Sequence, residues 1–521
     1  MNRYLYFTVF ASGLTTLAIE LSASRLLGNV FGTSNLVWAA IIGLILIYLT
    51  VGYFVGGRWA DRSPYPQTMY AILAWGAFLS GLVPFFSRPV LWAAADAFDQ
   101  LQMGILFGAF VSVLALFSVP VTLLGTISPF AIRLAVKDSR QAGTLSGQIY
   151  AVSTLGSFIG TYLPGLLLIP LIGTTRTFLV FSLALTLVAL VGLWRTSGWR
   201  RALLYAWMPL VLIFLFVFQS VGPVKKTSLQ IYERESAYNY IQVLEQDGYR
   251  YLRLNEGQGI HSVWNATELN YGGPWEQFLA GPFFNPSFGV RDMSSIAIVG
   301  LAAGTTARQA TAVFGPVPID GFEIDPAIIA VGRNYFDMNE PNLNAITQDG
   351  RWGLEHSTRR YTMIAIDAYR PPYIPAHLTT VEFFQTVKDH LTDNGVAAVN
   401  VGRSLTDRRL IDGMASTLEA VFPSVYVMDI PDTFNSMIYA TVQPTTFADL
   451  EQNYLRLQEQ ASSSPNAVHP LLLVVLDRLV TNIQPTPRST VVFTDDWSPV
   501  EWITNTMVLD FVFSEDVNTL H

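Results

Sequence analysis

With 521 residues, 51% of them hydrophobic and only 13% charged, the chain is too apolar for an ordinary soluble protein, where about 25% charged residues is usual. A net charge of −8 without any basic patch or aromatic–basic pattern argues against a nucleic-acid partner. The lack of cysteine excludes disulfides, thiolate metal sites and a cysteine nucleophile, and His261, His356, His377, His390, His469 and His521 lack metal-ligand spacing, so no metal is expected.

The apolar residues are concentrated in residues 1–221, read as a polytopic helical membrane domain of about seven segments. These are Tyr4–Leu27, Leu36–Gly56, Met69–Phe86, Gly104–Leu134, Leu145–Ile169, Thr175–Trp194 and Ala202–Val221, each near or above the roughly 20 residues that cross a hydrocarbon core. The first segment is long and succeeded by others, which argues against a cleaved signal peptide. Glu20 and Arg25 are expected to pair inside the bundle, because neither charge can be left alone in lipid. Pro120, Pro129 and Pro164 mark kinks, and Gly156, Gly160 and Gly165 mark close helix packing. The reading is an integral protein of the cell membrane, in contact with its lipid. Arg3, the pair Arg58 and Arg62, then Arg133, Lys137 and Arg140, and finally Arg195, Arg200 and Arg201 mark cytoplasmic ends. Seven crossings would leave the chain beyond Lys225-Lys226 outside, whereas a nucleotide-type ligand favours the cytoplasm, the side preferred here for the soluble half.

After Pro223 the pattern changes to short alternating runs with Asp247-Gly248 as a hairpin turn, so residues 222–290 read as a small antiparallel β-domain and a connecting helix. Residues 291–521 read as an α/β domain. Its centre is Ser295–Pro326: a buried strand ending at Gly300, a turn Gly300-Leu301-Ala302-Ala303-Gly304, a helix Thr305–Phe314 and a second strand ending in Glu323. Small residues in such a turn let backbone approach a nucleotide, the helix N-terminus presents positive dipole, and a carboxylate about twenty residues on accepts from ribose hydroxyls. A third strand runs into Gln348-Asp349-Gly350, where Asp349 is placed to reach an adenine amino group. A fourth, Tyr361–Ile366, places Asp367 at the edge where open α/β sheets bind their ligands. Helices Thr379–Leu391 and Asp407–Val421 alternate with a strand at Val396–Val401, and strands Val425–Ile430 and Ser436–Val442 end the sheet as an antiparallel pair. Phe447–Gln460 is an exposed helix, and Leu471–Leu479 is a packing helix too short to span. The order is similar to the Rossmann-like seven-stranded sheet of S-adenosylmethionine-dependent transferases.

Gly300-Leu-Ala-Ala-Gly-Thr, Phe322-Glu-Ile-Asp-Pro, Gln348-Asp-Gly, Ile366-Asp-Ala-Tyr and Ile374-Pro-Ala-His-Leu-Thr-Thr-Val-Glu-Phe-Phe resemble the spermidine synthases. Trp38, Gly56-Gly-Arg-Trp-Ala-Asp-Arg, Tyr150-Ala-Val-Ser-Thr-Leu-Gly and Thr494-Asp-Asp-Trp-Ser-Pro-Val-Glu fit the membrane-fused branch of that family, so the resemblance covers nearly the whole chain. It implies aminopropyl transfer from decarboxylated S-adenosylmethionine, or use of S-adenosylmethionine itself, to a small amine or related acceptor. Asp367 would be the catalytic base and Tyr369 would orient the amine. Gly300, Ala302, Gly304, Glu323, Asp349 and Gly350 would hold the nucleoside, and a homodimer is one assembly compatible with the family.

The acceptor positions depart from the pattern. Ala303 and Arg370 stand where soluble relatives carry aspartates, Tyr238-Asn239 replaces Tyr-Gln, Glu276 ends an altered triplet, and His261 replaces a glutamine. By resemblance Tyr238, Asn239, His261, Glu276 and Arg370 would face the acceptor. An arginine there suits an acidic ligand better than putrescine. Two rival readings are a transporter-like module with a nucleoside-binding regulatory domain and an S-adenosylmethionine-dependent methyltransferase.

Overall fold

A computed structural model of the chain describes residues 3–31, 35–101, 105–218, 227–255, 259–369, 373–404, 407–464, 467–486 and 489–513. It divides into two compact units, Met1–Ser228 with Glu233–Tyr240, and Leu229–Tyr232 with Ile241–His521.

The first unit is helical: α1 Arg3–Phe31, α2 Asn35–Arg62, α3 Pro66–Leu101, α4 Ile105–Gly125, α5 Ile127–Ala135, α6 Ala142–Leu163, α7 Ile169–Ser197, α8 Trp199–Leu203 and α9 Trp207–Phe218. Six stretches among the described residues are long and apolar enough to cross a membrane. The sequence reading has seven because one of the six, Ser139–Ser197, spans 59 residues. As one helix it would be about 88 Å long, nearly three hydrocarbon thicknesses. Two features interrupt it. Pro164, which cannot donate a backbone hydrogen bond, opens a π-turn over Pro164–Leu168, and Gly173 takes φ 80°, outside helical space. Pro129 lies just beyond the break between α4 and α5, whereas Pro120 sits within α4.

Missing side chains set the helix spacing. A Cβ on Gly156 or Gly160 of α6 would stand 2.1 Å from the carbonyl oxygens of Phe10 and Leu14 on α1. Gly52 and Gly56 of α2 meet Thr122 and Thr126, at 2.5 and 2.6 Å. Gly165 differs from the expectation: it is exposed on the π-turn, with nothing within 4 Å of an added Cβ.

Polar contacts distinguish the two ends of this bundle. At one end Tyr4 Oη donates to Val188 O at 2.6 Å and lies under the Arg195 guanidinium at 4.5 Å. Ser197 Oγ donates to Gln67 Oε1 at 3.1 Å and Arg133 pairs with Asp61 at 3.1 Å, so the basic ends of α2, α5 and α7 gather there. At the other end the turn within Glu233–Tyr240 is held. Glu235 accepts from Asn29 Nδ2 at 2.7 Å and from the Thr174 backbone N–H at 2.8 Å, a carboxylate at the start of the helical run after Gly173. Arg25 donates to the carbonyls of Ser236 and Tyr238. This corrects the expected Glu20–Arg25 pair. Residues five apart point about 140° away from each other around a helix, so the guanidinium reaches the turn instead.

Two sheets follow in the chain. β1 Gln230–Glu235, β2 Tyr240–Gln246, β3 Tyr249–Leu254 and β4 Ile260–Asn265 come in order, with β2–β3 and β3–β4 antiparallel. Asp247 and Gly248 take φ 53° and 82°, the left-handed pair that a two-residue hairpin turn needs. After α10 Pro274–Gln277 comes the main sheet. Its strands are β5 Ile296–Val299, β6 Ile319–Glu323, β7 Leu343–Thr347, β8 Tyr361–Ile366, β9 Leu391–Gly402, β10 Ser424–Asp429, β11 Asn435–Thr441 and β12 Ile483–Gln484. Their order is β12-β10-β11-β9-β8-β5-β6-β7. The five strands from β9 to β7 are parallel and the others antiparallel, with two-residue β12 an eighth strand beyond the seven expected. Every residue of β5 and β8 is buried, as continuous apolar runs in a sheet covered on both faces require. The helices are α11 Thr305–Phe314, α12 Pro326–Tyr335, α13 Gly350–Glu355, α14 Val381–Asp389, α15 Arg409–Glu419, α16 Phe447–Ser463, α17 Pro470–Asn482 and α18 Val500–Phe513. α17 buries Leu471, Leu472, Val475, Leu476 and Leu479 in one core with Leu450 and Leu457 of α16, as a packing helix should.

Gly160→Leu should therefore destabilise the detergent-solubilised chain by about 1–3 kcal/mol in thermal unfolding, while Gly165→Ala stays within about 0.5 kcal/mol. Equal effects would contradict the packing assigned to the two glycines.

Candidate active site

The parallel order sets β5 between β6 and β8, so the turn after β5 lies between the ends of two neighbouring strands. Gly300, Ala302 and Gly304 take φ 88°, 49° and 86°. Gly300 is required twice, by its conformation and by space, since a Cβ there would stand 2.7 Å from the backbone of Asp367 and Ala368 after β8. Gly304 begins α11 against Met338, whose Cγ would lie 2.5 Å from an added Cβ.

Glu323, ending β6, closes the turn from the other side. One carboxylate oxygen accepts from Ala302 N at 3.0 Å and the other from Asp325 N at 3.0 Å. The side chain is buried, and burial pushes its pKa up to about 7 against the opposing effect of these hydrogen bonds. Each oxygen keeps a further lone pair with which to accept from a hydroxyl. The strand β4 lies alongside: Ser262 Oγ accepts from Ala303 N at 2.9 Å, and Thr305 Oγ1 donates to Val263 O at 2.9 Å.

Asp349, after β7, caps α13 by accepting from Trp352 N at 3.0 Å, and its second oxygen meets His377 Nε2 at 3.0 Å. The His377 hydrogen bond, reinforced by the backbone N–H groups, holds this carboxyl below its ordinary range. Gly350 packs on β5, where a Cβ would lie 2.4 Å from Val299 Cγ1. Arg351 then makes a two-pronged pair with Asp495 at 2.7 and 2.8 Å, so the Thr494–Glu501 motif braces the helix that Asp349 caps.

Asp367 is partly accessible, but the surrounding protein strips enough water from it to raise its pKa to about 7, opposed by a hydrogen bond from Asn400 Nδ2 at 2.8 Å. Tyr369 donates to Asn400 O at 3.1 Å, and burial raises its phenol. Asn400 is the residue that sequence reasoning missed. The one available signal was a lone amide in the otherwise apolar run Val396-Ala-Ala-Val-Asn-Val401.

The acceptor positions fall on different elements. Tyr238 and Asn239 belong to the turn in the helical unit, where the Tyr238 carbonyl accepts from Arg25 and the Asn239 N–H donates to Ser236 Oγ at 2.8 Å. Glu276 is not available to a substrate. It is 0% exposed, caps α10 through Gly273 N at 3.0 Å, accepts from Gln309 Nε2 at 3.1 Å and pairs with Arg478 at 3.3 Å. His261 stands beside Ser262 on β4 with a buried Nε2 that has no partner among the described residues, and burial lowers its pKa to about 4, leaving it neutral. Arg370 lies outside the described residues. No group of three or more metal-binding side chains occurs among the described residues.

Residues 287–452 match the spermine/spermidine synthase domain. A probable polyamine aminopropyl transferase of Bifidobacterium longum is 32% identical over 213 residues, 40% of this chain and 46% of that protein, so the match spans less than half of that relative. Polyamine aminopropyltransferase 2 of Aquifex aeolicus is 22% identical over 464 residues, 85% of this chain and 88% of that protein. The crystal structure of spermidine synthase from Thermotoga maritima aligns with a TM-score of 0.36 at 21% identity, covering 42% of this chain and 75% of that one. The C-terminal half of this chain carries a domain of the spermine/spermidine synthase family.

Proposed function

We propose that the chain is a membrane-bound transferase that moves an aminopropyl or related group from decarboxylated S-adenosylmethionine, or S-adenosylmethionine, to an amine acceptor. The observation that carries this is Asp367, packed beside the Gly300–Gly304 turn with its pKa pushed up to about 7. The donor supplies a sulfonium whose adjacent carbon is open to displacement. The acceptor nitrogen forms a bond to that carbon, the C–S bond breaks, and the thioether nucleoside leaves with the electron pair. The nitrogen's proton passes to Asp367. Glu323 would take the ribose hydroxyls and Asp349 the adenine amino group, with His377 already fixing the Asp349 carboxylate. The membrane reading rests on the six apolar helical stretches.

The acceptor is proposed to be an amine other than free putrescine, because Ala303 and Arg370 replace two carboxylates that would attract a dication. The purified chain should release methylthioadenosine from decarboxylated donor in the presence of its acceptor, with little turnover of putrescine. S-adenosylhomocysteine would instead mean methyl transfer, and neither product a binding module. The base must be ionised, so the rate should fall about tenfold per unit as pH drops below about 7, and Asp367→Asn should abolish it. A flat profile from pH 5 to 8, roughly one unit or more either side of the expected inflection, would reject this role.

Calorimetry with methylthioadenosine should show Glu323→Ala losing about 1.5–3 kcal/mol of binding. Unchanged affinity would remove Glu323 from the nucleoside site.

For sidedness, we propose that the Glu233–Tyr240 turn faces away from the cytoplasm. Basic helix ends mark the inner face, and Glu235 is held at the opposite end of the bundle. This departs from the cytoplasmic side that the nucleotide argument favours. The natural chain has no cysteine, so Ala237→Cys and Tyr65→Cys, both at exposed positions, give clean probes. In intact cells an impermeant maleimide should label Ala237→Cys and spare Tyr65→Cys; the reverse pattern would overturn the assignment.

A further inference from the structure

β9 is buried from Val396 to Val401, and the one polar side chain in that run is Asn400. An amide in such a place costs stability unless both its ends are satisfied, and here only one is. Its Nδ2 donates to Asp367 Oδ1 at 2.8 Å, whereas its own Oδ1 is buried without a partner among the described residues. Its backbone carbonyl accepts the Tyr369 hydroxyl at 3.1 Å, so the chain leaving β8 is tied to the same residue of β9 twice. Turning the amide over would place its oxygen against a carboxylate oxygen, two acceptors face to face. A bond donated to an ionised carboxylate is stronger than one donated to the neutral acid, so this contact favours ionised Asp367.

We infer that Asn400 is a positioning residue for the transfer reaction: it pins Oδ1 of Asp367, leaves Oδ2 as the atom that receives the proton, and favours the ionised carboxylate that a base must be. This rests on the reading of Asp367 as the base. Burial works the other way, toward the neutral acid, and Asn400 is the opposing influence on that carboxyl. Among the described residues, the groups facing Asp367 are few. From its own chain comes the Tyr369 hydroxyl, which is turned to the Asn400 carbonyl; from β5 comes the uncharged Gly300 turn; from β9 comes Asn400. No charged side chain among the described residues acts on it. Among the described residues, the hydrogen bond from β9 is thus the main feature that keeps the base usable near neutrality.

The test is the ionisation of Asp367 itself, read by pH-difference infrared spectroscopy on the full chain in detergent. The carboxylic C=O band that disappears in Asp367→Asn should titrate near pH 7 in the natural chain. In Asn400→Leu its midpoint should rise by about one unit, the loss of one hydrogen bond to a charged group. Asn400→Ala removes the same donor without adding bulk and carries the test if the leucine variant does not fold. Asn400→Gln, which keeps a donor, should bring the midpoint back toward the natural value. A midpoint unmoved in folded Asn400→Leu or Asn400→Ala would overturn the inference, as would the absence of an Asp367-dependent band near neutrality. Neither donor nor acceptor is needed for this readout. An inactive chain with the shift intact would reject the transfer reaction and leave the Asn400–Asp367 coupling standing.

Discussion

The candidate site depends on a missing side chain. With 2.7 Å between the position of a Cβ on Gly300 and the backbone of Asp367 and Ala368, only glycine lets the turn after β5 close on the end of β8. That approach brings the turn, which has the conformation of a nucleotide loop, next to the carboxylate with the chemistry of a base. The parallel pairing of β5 with both β6 and β8 makes the approach inevitable, because all three strands end at the same edge of the sheet.

Three carboxylates end three strands of this sheet, and the protein treats them differently. Glu323 is buried and engaged by backbone N–H groups, which makes it part of the turn's own architecture as well as a candidate ribose contact. Asp349 is held ionised by His377 and the α13 backbone. Among the described residues the Asp367 carboxyl has a single hydrogen bond, from Asn400, and a pKa near 7, the value at which a group can both hold and release a proton at neutral pH. One edge thus combines two candidate binding carboxylates and one candidate base, distinguished by what each is bonded to.

In the helical unit the Arg133–Asp61 pair and the contacts of Arg25 and Glu235 lie at the ends, whereas glycines set how closely the helices pass. Glycines on α2 and α6 bring helices into backbone contact, which apolar side chains alone would not direct in a lipid environment. Glu235, within the Glu233–Tyr240 turn, accepts from Asn29 and the Thr174 N–H of the helices, and Arg25 donates to two carbonyls of the same turn.

The sequence by itself determined the elements and their edge. Continuous apolar runs marked β5 and β8, the glycine turn and Glu323 marked the nucleotide unit, and Asp367 was placed at the sheet edge because it directly follows the apolar run of β8. Lone glycines in apolar helices were less informative: Gly160 packs and Gly165 does not, since only the helix azimuth decides which one meets a neighbour. What tertiary structure alone decided were partners far apart in the chain. Asn400 met Asp367 because β9 pairs with β8, Glu276 was consumed by Gly273, Gln309 and Arg478, and Arg25 turned from Glu20 to a distant hairpin. A residue type and its spacing give the reach of a side chain along its own element, but hydrogen bonds between elements are fixed only when sheet register and helix rotation are.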